Sequence, residues 1–319
     1  MEFVKGSPSG GPFHLDGTGM DFRAIGMGVA FALIWSSAFS SARIIVADAP
    51  PLAALALRFL ISGLIGVGIA RLMGQNWRLS PEQWRATIIF GLCQNALYLG
   101  LNFVAMQKIE ASLAAIIAST MPLLVALSGF VFLRERLSLT AWIGLLAGLA
   151  GVVLIMGARI GAGVDLGGVV LAGLGALALT AATLAVRTAT GGGNLLMIVG
   201  LQMLVGAALL AVASALLEVH EVAFSGKLAA AFIYTTLVPG LAATWIWFAL
   251  VRRVGAVKAA AFHFLNPFFG VAIAALVLGE AVRGLDIVGA LVIGAGILVV
   301  QLSRADTFAN AKLKSRQRS

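Results

Sequence analysis

Three polar residues, Gln94, Tyr98 and Asn102, recur at every fourth position of an otherwise apolar stretch of this sequence. In an α-helix, residues four apart lie on the same face, so the three side chains would form one polar stripe. A polar residue in an apolar helix often bonds a neighbouring helix, and that is the alternative here. We interpret the stripe as a face turned toward a cavity, where two amides and a phenol can hydrogen-bond a ligand.

A second polar group surrounds a proline in a later apolar stretch. His263 and Asn266 lie three residues apart, and Pro267 follows directly. Because proline has no N–H, it leaves the carbonyl four positions earlier, that of His263, without its helical partner. Pro122 stands in a similar place in an earlier stretch, beside Thr120. The alternative is that the prolines only shape their helices; we predict that they break them at a site that these polar residues line.

Trp35 and Ser36 lie midway along the first apolar stretch. Tryptophans of membrane proteins usually lie at the two interfaces with water, so a central position is uncommon. The ring can face lipid, or it can line a cavity for an aromatic ligand. We predict the second arrangement, with the serine hydroxyl beside it.

The charged residues are expected to serve structure. Asp and Glu are missing from the centre of every long apolar stretch, and Glu135 and Glu280 follow the two proline-containing stretches. We predict that each pairs with a nearby arginine or caps the next helix. Arg58 lies about two turns into its stretch, where it can snorkel to the interface or act inside the bundle, and both interpretations stay open. We predict no catalytic residue, no metal site and no cofactor.

The elements that carry these residues are expected to be membrane-spanning helices. Of 319 residues, 61% are hydrophobic and 11% charged, and the mean hydropathy is +1.03. Soluble domains carry roughly twice that share of charge. The apolar stretches are continuous, which excludes the alternation of a membrane β-barrel. The sequence therefore predicts an all-α polytopic protein with spans at 24–45, 52–72, 85–106, 111–133, 139–157, 166–187, 195–217, 228–250, 257–278 and 285–302.

An internal repeat relates the two halves of the chain. A shift of 145 positions aligns residues 111–157 with 256–302 and brings the two prolines and the two glutamates into register. The predicted units are a first five-helix repeat at 20–157 and a second at 158–302. Because five is odd, the second repeat enters the membrane from the opposite side, which is the arrangement of transporters that work by alternating access.

The repeat also assigns partners to single residues. It aligns Asn102 with Trp247, so we expect Trp247 to face the same central space as the polar stripe. At a shift of 144, Arg58 aligns with Gln202, which is also polar. Because both positions are polar, this match favours a role for Arg58 inside the helix bundle.

Basic residues predict the orientation of the chain. Most Lys and Arg residues fall on one side of the predicted membrane, together with both termini, which places the termini in the cytoplasm. The net charge of +9 is therefore a feature of topology and does not indicate a nucleic-acid partner. Residues 1–19 are rich in Gly, Ser and Pro and are expected to be a cloning remnant, whereas 303–319 form a basic cytoplasmic tail.

Several segments carry a family resemblance. They are residues 98–155 with their echo at 244–282, the segment ALIWSSAFSSARI in the first span, and ALRFLISG at 56–63. Over essentially 24–302 the chain resembles the EamA family of the drug/metabolite transporter superfamily. The resemblance implies ten helices arranged as two inverted five-helix repeats. Within the family, the chain is similar to the YddG-type bacterial exporters of aromatic amino acids and of paraquat (methyl viologen).

We therefore expect a secondary transporter in the bacterial inner membrane, not an enzyme. It would export small amphiphilic metabolites, foremost aromatic or other large neutral amino acids, by alternating access; paraquat-like compounds are a further substrate class. Alternatives are transport of another class of small metabolite within the superfamily, an intramembrane enzyme or a channel. The expected partners are a small-molecule substrate and the lipid bilayer, with no nucleic acid, and the chain is expected to be a monomer.

Overall fold

The computed structural model describes residues 21–186 and 194–316. The expected remnant at 1–19, the last position of the sixth predicted span (Arg187) and the end of the basic tail at 317–319 lie outside the described residues. Within the described part the chain is helical, without a strand, and ten of its helices are long and apolar enough to cross a membrane. The predicted all-α polytopic fold is confirmed.

The ten spans follow the predicted stretches to within a few residues and are numbered in chain order. They are α1 Phe22–Asp48, α2 Pro51–Leu72, α3 Pro81–Ala105, α4 Ala111–Phe132, α5 Leu139–Gly161, α6 Leu166–Ala185, α7 Leu195–Leu217, α8 Gly226–Val254, α9 Lys258–Leu278 and α10 Gly284–Ser303. Beyond its span, the helix of α10 continues to Arg316, through most of the expected tail.

Serine caps begin several spans at the residues where the apolar stretches start. The Ser80 hydroxyl accepts a hydrogen bond from the Gln83 N–H, and the Gln83 side chain accepts one from the Ser80 N–H, before Pro81 opens α3. The hydroxyls of Ser138 and Ser225 cap α5 and α8 by accepting from the N–H groups of Ala141 and Leu228. Each cap satisfies an N–H that has no partner within its own helix, which fixes where the helix begins.

Four spans are interrupted at corresponding places in the two halves. α3 contains a π-helical segment at Gly91–Leu99, and α8 contains one at Val238–Ala242. α4 is broken at Thr120, and α9 contains a 3₁₀ turn at Phe262–Leu265, in both cases just before a proline. Such breaks are tolerated at membrane depth where neighbouring helices cover the backbone, and they often mark functional sites.

The helices of each half pack against helices of the other half, and the same contacts recur when the two halves are interchanged. α2 packs against α7, α4 against α9 and α5 against α10, so each of these helices meets its own counterpart. α1 packs against α8 and α9, while its counterpart α6 packs against α3 and α4. This pattern is what a twofold axis between two five-helix halves produces. The largest buried cluster draws on α1–α10 around this axis, with Leu55, Tyr98, Ile116, Met203 and Val271 among its members.

Glycines allow the closest of these contacts, between α5 and α10. A Cβ built on Gly296 would lie 2.5 Å from the Gly144 carbonyl oxygen, and one built on Gly289 would lie 3.1 Å from the Gly151 carbonyl oxygen. The shift of 145 positions relates Gly144 to Gly289 and Gly151 to Gly296, so the two contacts are reciprocal. Without side chains at these positions, the two backbones approach closely and pack without a gap.

Two glutamates tie the halves together by capping helices of the opposite half. The Glu280 carboxylate accepts hydrogen bonds from the N–H groups of Ala111 and Ser112, at 2.7 and 3.0 Å, where α4 begins. Glu218 makes the same pair of bonds at the start of α2, at 2.7 and 2.9 Å. A carboxylate is favourable at a helix N-terminus because of the unpaired N–H groups and the helix dipole. For Glu280 the cap was expected on the next helix, α10, whereas the carboxylate caps α4 of the opposite half. Glu218 was not singled out.

Candidate functional site

Four rings meet where α1, α8 and α9 pack together. The centroids of Phe31 and Trp247 are 4.8 Å apart, and the His263 ring lies 5.5 Å from each of them. Trp35 lies 5.8 Å from His263 in an edge-on arrangement. These separations are those of favourable aromatic pairs. We call Phe31, Trp35, Trp247 and His263 the ring cluster.

Polar groups of α1 and α9 lie next to the ring cluster. The Asn266 amide nitrogen is 2.8 Å from Nδ1 of His263, and the Ser36 hydroxyl donates to the Asn266 carbonyl at 3.3 Å. If the Asn266 amide donates to Nδ1, a neutral His263 carries its proton on Nε2. Oδ1 of Asn266 is fully buried and has no hydrogen-bond partner in residues 21–186 and 194–316. It is an acceptor that a ligand could use.

The break in α9 explains how these groups are positioned. Pro267 prevents a regular helix, and the chain tightens into the 3₁₀ turn at Phe262–Leu265. The N–H of Asn266 then donates to the His263 carbonyl. The expectation that this carbonyl is left free is therefore wrong, because the tighter turn supplies the donor that the proline lacks.

The predicted polar stripe on α3 is not a simple α-helical face. Gln94 and Tyr98 lie in the π-helical segment, whereas Asn102 lies in the α-helix that follows. Because the number of residues per turn changes between them, side chains four residues apart do not all lie on one face of the helix. Tyr98 and Asn102 are buried, and Gln94 is half-buried. The Asn102 amide donates to the Tyr98 carbonyl at 2.8 Å, and a Cβ built on Gly175 of α6 would lie 2.6 Å from its nitrogen. Asn102 therefore lies at the α3–α6 interface.

The repeat relates this interface to the ring cluster. Shifts of 145 and 144 positions carry Asn102 to Trp247 and Phe31 to Gly175. The pair Asn102–Gly175 is thus the counterpart of the pair Trp247–Phe31. The structure places Asn102 and Trp247 at two equivalent interfaces and not in one contact group, and the two interfaces are filled by different side chains.

The break in α4 contributes fewer polar groups than expected. Thr120 is buried, and its hydroxyl donates to the Ile117 carbonyl at 2.6 Å within the same helix. Pro122 follows in the first turn of the second half of α4 and is also buried. Both residues therefore shape α4, which packs against α6 and α9.

A charged group near the predicted outer ends of the helices was missed in the sequence. Arg159 donates to both oxygens of Asp286, at 3.2 and 2.8 Å, and also contacts Glu110. Arg159 and Asp286 are almost fully buried. The sequence could have indicated this ion pair, because Arg159 lies in the last turn of α5 and the oppositely charged Asp286 lies in the first turn of α10. A cavity of about 550 Å³ lies at the same end, lined by Arg43, Ile44, Val46, Ala47, Gln107, Glu110, Lys227, Leu278 and Glu280.

Comparison with protein families decides the kind of protein that carries these features. The model of the EamA-like transporter family matches twice, over residues 22–157 and 166–302. The chain belongs to the EamA-like transporter family. This EamA protein is thus a multi-pass membrane transporter, which agrees with its ten spans.

Relatives of this EamA protein carry transporter names. It is 28% identical to the uncharacterized transporter YvbV of Bacillus subtilis, over 85% of this chain and 90% of that one. It is 27% identical to the uncharacterized inner membrane transporter YedA of Escherichia coli, over 87% and 90% of the two chains. A solved crystal structure of 23% identity aligns with a TM-score of 0.65, over 89% of this chain and 98% of that one, and shares the fold. The names of YvbV and YedA indicate transport and give no substrate.

Proposed function

We propose that this transporter exports aromatic or other large neutral amino acids from the bacterial cytoplasm across the inner membrane by alternating access. The observation that carries the proposal is the ring cluster, with two tryptophans and a histidine inside a bundle of spanning helices. A well-placed aromatic pair contributes about 0.5–1.5 kcal/mol beyond its buried area. A ring-shaped substrate that enters between these side chains would gain such contacts on more than one side.

The neighbouring polar groups suit the polar end of the same substrate. Oδ1 of Asn266 can accept a hydrogen bond, and Nε2 of His263, protonated in that tautomer, can donate one. Each net hydrogen bond contributes roughly 0.5–1.5 kcal/mol, and neither group carries a charge that would have to be desolvated. Apolar walls with a few placed polar groups are typical of sites for small molecules.

The charge distribution favours this substrate class over organic cations. Within the ten spans as described, Asp and Glu occur only in first or last turns, as at Asp48, Glu82 and Asp286. Transport of a cation commonly uses a carboxylate inside the membrane, because a carboxylate can bind either the cation or a proton. Paraquat is a dication and would find no such partner near the ring cluster.

Uptake into proteoliposomes tests the proposal. Purified protein is reconstituted, and uptake of labelled L-tryptophan, L-phenylalanine, L-isoleucine, L-lysine and methyl viologen is measured in exchange for the same unlabelled compound, with and without a pH gradient. We expect saturable exchange of tryptophan and phenylalanine. Saturable exchange of lysine or methyl viologen, without exchange of the aromatic amino acids, would overturn the proposal.

A further inference from the structure

Arg58 is a buried cation that has no polar partner within residues 21–186 and 194–316. Its exposed fraction is 7%, so the side chain is buried inside the helix bundle. Nε is fully buried and makes no hydrogen bond, and the guanidinium has no ion pair or hydrogen bond to any residue that the structure describes. The centroid of the Phe59 ring lies 5.2 Å from the guanidinium carbon. Charged residues inside a membrane bundle are costly and generally serve function.

The guanidinium points at the π-helical segment of α8. A Cβ built on Gly240 would lie 3.6 Å from Nη2 of Arg58 and 3.4 Å from the Ser62 hydroxyl. Glycine at this position leaves room beside the two polar groups. Ser62 lies one helical turn from Arg58 on α2, and its hydroxyl donates to the Thr236 carbonyl at 3.4 Å. Arg58 and Ser62 therefore line the same side of α8.

The opposite half shows what this position looks like without a charge. The repeat aligns Arg58 with Gln202 and Gly240 with Asn95. In that half, the Asn95 side chain of α3 lies against α7 and donates to the Gln202 carbonyl at 2.9 Å. In that half, neutral side chains are enough to pack the two helices together. Helix packing alone therefore does not explain why the equivalent position of the first half is an arginine.

The nearby ring does not offset burial of the charge. A single cation–π contact is weaker than the cost of burying a charge without a counter-ion. An arginine presents a planar fork of donors that binds a carboxylate through two parallel hydrogen bonds. An anionic ligand group is the partner that would remove the cost.

We propose that Arg58 binds the carboxylate of the transported substrate. This inference rests on the proposed export of amino acids and specifies how that site holds the acid group. On α8, Gly240 and Trp247 are seven residues apart, about 10 Å along the helix, and the π-helical segment that contains Gly240 ends between them. In the proposed binding mode, the substrate places its ring near Trp247 and directs its carboxylate toward Arg58. The cation at Arg58 also repels dications such as paraquat.

Matched pairs of ligands test the role of the carboxylate. Binding of L-tryptophan and L-tryptophanamide to the purified full chain is measured by calorimetry, together with L-isoleucine and L-isoleucinamide. We expect the wild type to bind each acid about tenfold or more tightly than its amide, because charge-assisted hydrogen bonds are about twice as strong as neutral ones. Equal binding of acid and amide by the wild type would overturn the inference.

Variants at Arg58 assign that preference to one side chain. Arg58→Gln introduces the residue that the chain itself has at the equivalent position of the other half, and it should remove the preference by weakening binding of the acid more than binding of the amide. Arg58→Lys should keep part of it and serves as the variant if Arg58→Gln fails to fold. Equal loss of affinity for acid and amide in either variant would contradict carboxylate binding.

The isoleucine pair separates the two proposals. Preference for the acid in this pair, without binding of tryptophan, would overturn the aromatic substrate and leave the role of Arg58 in place. Binding of tryptophan without preference for the acid would leave the aromatic substrate and overturn the role of Arg58. Absence of binding by both acids would overturn both.

Discussion

At the scale of single residues, two tryptophans of α8 have opposite surroundings. Trp247 contacts Phe31 and His263, whereas Trp245 is 72% exposed on the outside of the bundle. We predict that Trp247→Ala raises the half-saturation constant for L-tryptophan by up to about tenfold, because loss of about 1.4 kcal/mol of binding free energy is a factor of ten. Trp245→Ala is the control and should transport like the wild type in the proteoliposome assay. Equal effects of the two variants would contradict a site at the ring cluster.

Two equivalent residues end α4 and α9 in the left-handed conformation. Arg134 has a φ of 54°, and its counterpart Gly279 has a φ of 70°. A side chain in this conformation costs about 1–2 kcal/mol, which glycine avoids. We predict that Arg134→Gly raises the thermal unfolding midpoint in detergent and that Gly279→Ala lowers it. Arg136→Gly, which removes a neighbouring charge at ordinary φ, is the matched control. A lower midpoint for Arg134→Gly than for Arg136→Gly would show that Arg134 is held by contacts that outweigh the strain.

Some site residues could be predicted from the sequence because they are rare in such a chain. His263 and Asn266 stood out beside a proline, and Trp35 stood out at mid-span. Phe31 could not be identified, because an apolar ring in an apolar helix suits lipid and a binding site equally well. Arg58 was left with two interpretations, because its burial depends on how α2 is rotated, and a helix that is apolar all round does not specify its rotation.

At the scale of the elements, the helix ends and the proline breaks were predictable, but the π-helical segments were not. The polar stripe on α3 assumed a spacing of 3.6 residues per turn throughout. In the structure, a Cβ built on Gly91 would lie 2.8 Å from the Gln202 carbonyl oxygen, so the start of the π-helical segment packs closely against α7. Likewise, Glu280 caps a helix that begins 169 residues earlier in the chain. Both features involve contacts between distant helices, which a helical periodicity does not contain.

The packing of α5 against α10 leads to a prediction about helix association. Gly296→Ala places a methyl group 2.5 Å from the Gly144 carbonyl oxygen, and the backbone cannot give way easily. We predict that it destabilises the protein by about 1–3 kcal/mol, as overpacking typically does. Gly157→Ala on α5, where a Cβ meets nothing within 4 Å, is the control. Thermal unfolding in detergent measures both. Equal midpoints for the two variants would mean that the helices separate slightly at little cost.

At the scale of the whole molecule, the exchange of helix contacts between the halves leads to a prediction of topology. Single cysteines are introduced beside Arg134 and Arg253, and beside Lys108 and Lys227, in a Cys93→Ala background. We predict that the first pair reacts with a membrane-impermeant thiol reagent only from the cytoplasmic side and the second pair only from outside. Wild-type transport in the Cys93→Ala background is the control. Labelling of all four positions from one side would exclude two inverted halves.

The two equivalent interfaces of the bundle are built differently, with rings between Phe31 and Trp247 and with small polar contacts between Gly175 and Asn102. Both interfaces are closed in the structure. If the proposed alternating access opens them in turn, their unequal strengths give the two resting states unequal populations. Apparent affinities measured from the two faces should then differ. Detailed balance nevertheless requires equal ratios of maximal rate to half-saturation constant in the two directions when nothing else drives the cycle. Unequal closure can set which face binds more tightly, but a thermodynamic gradient must supply any accumulation.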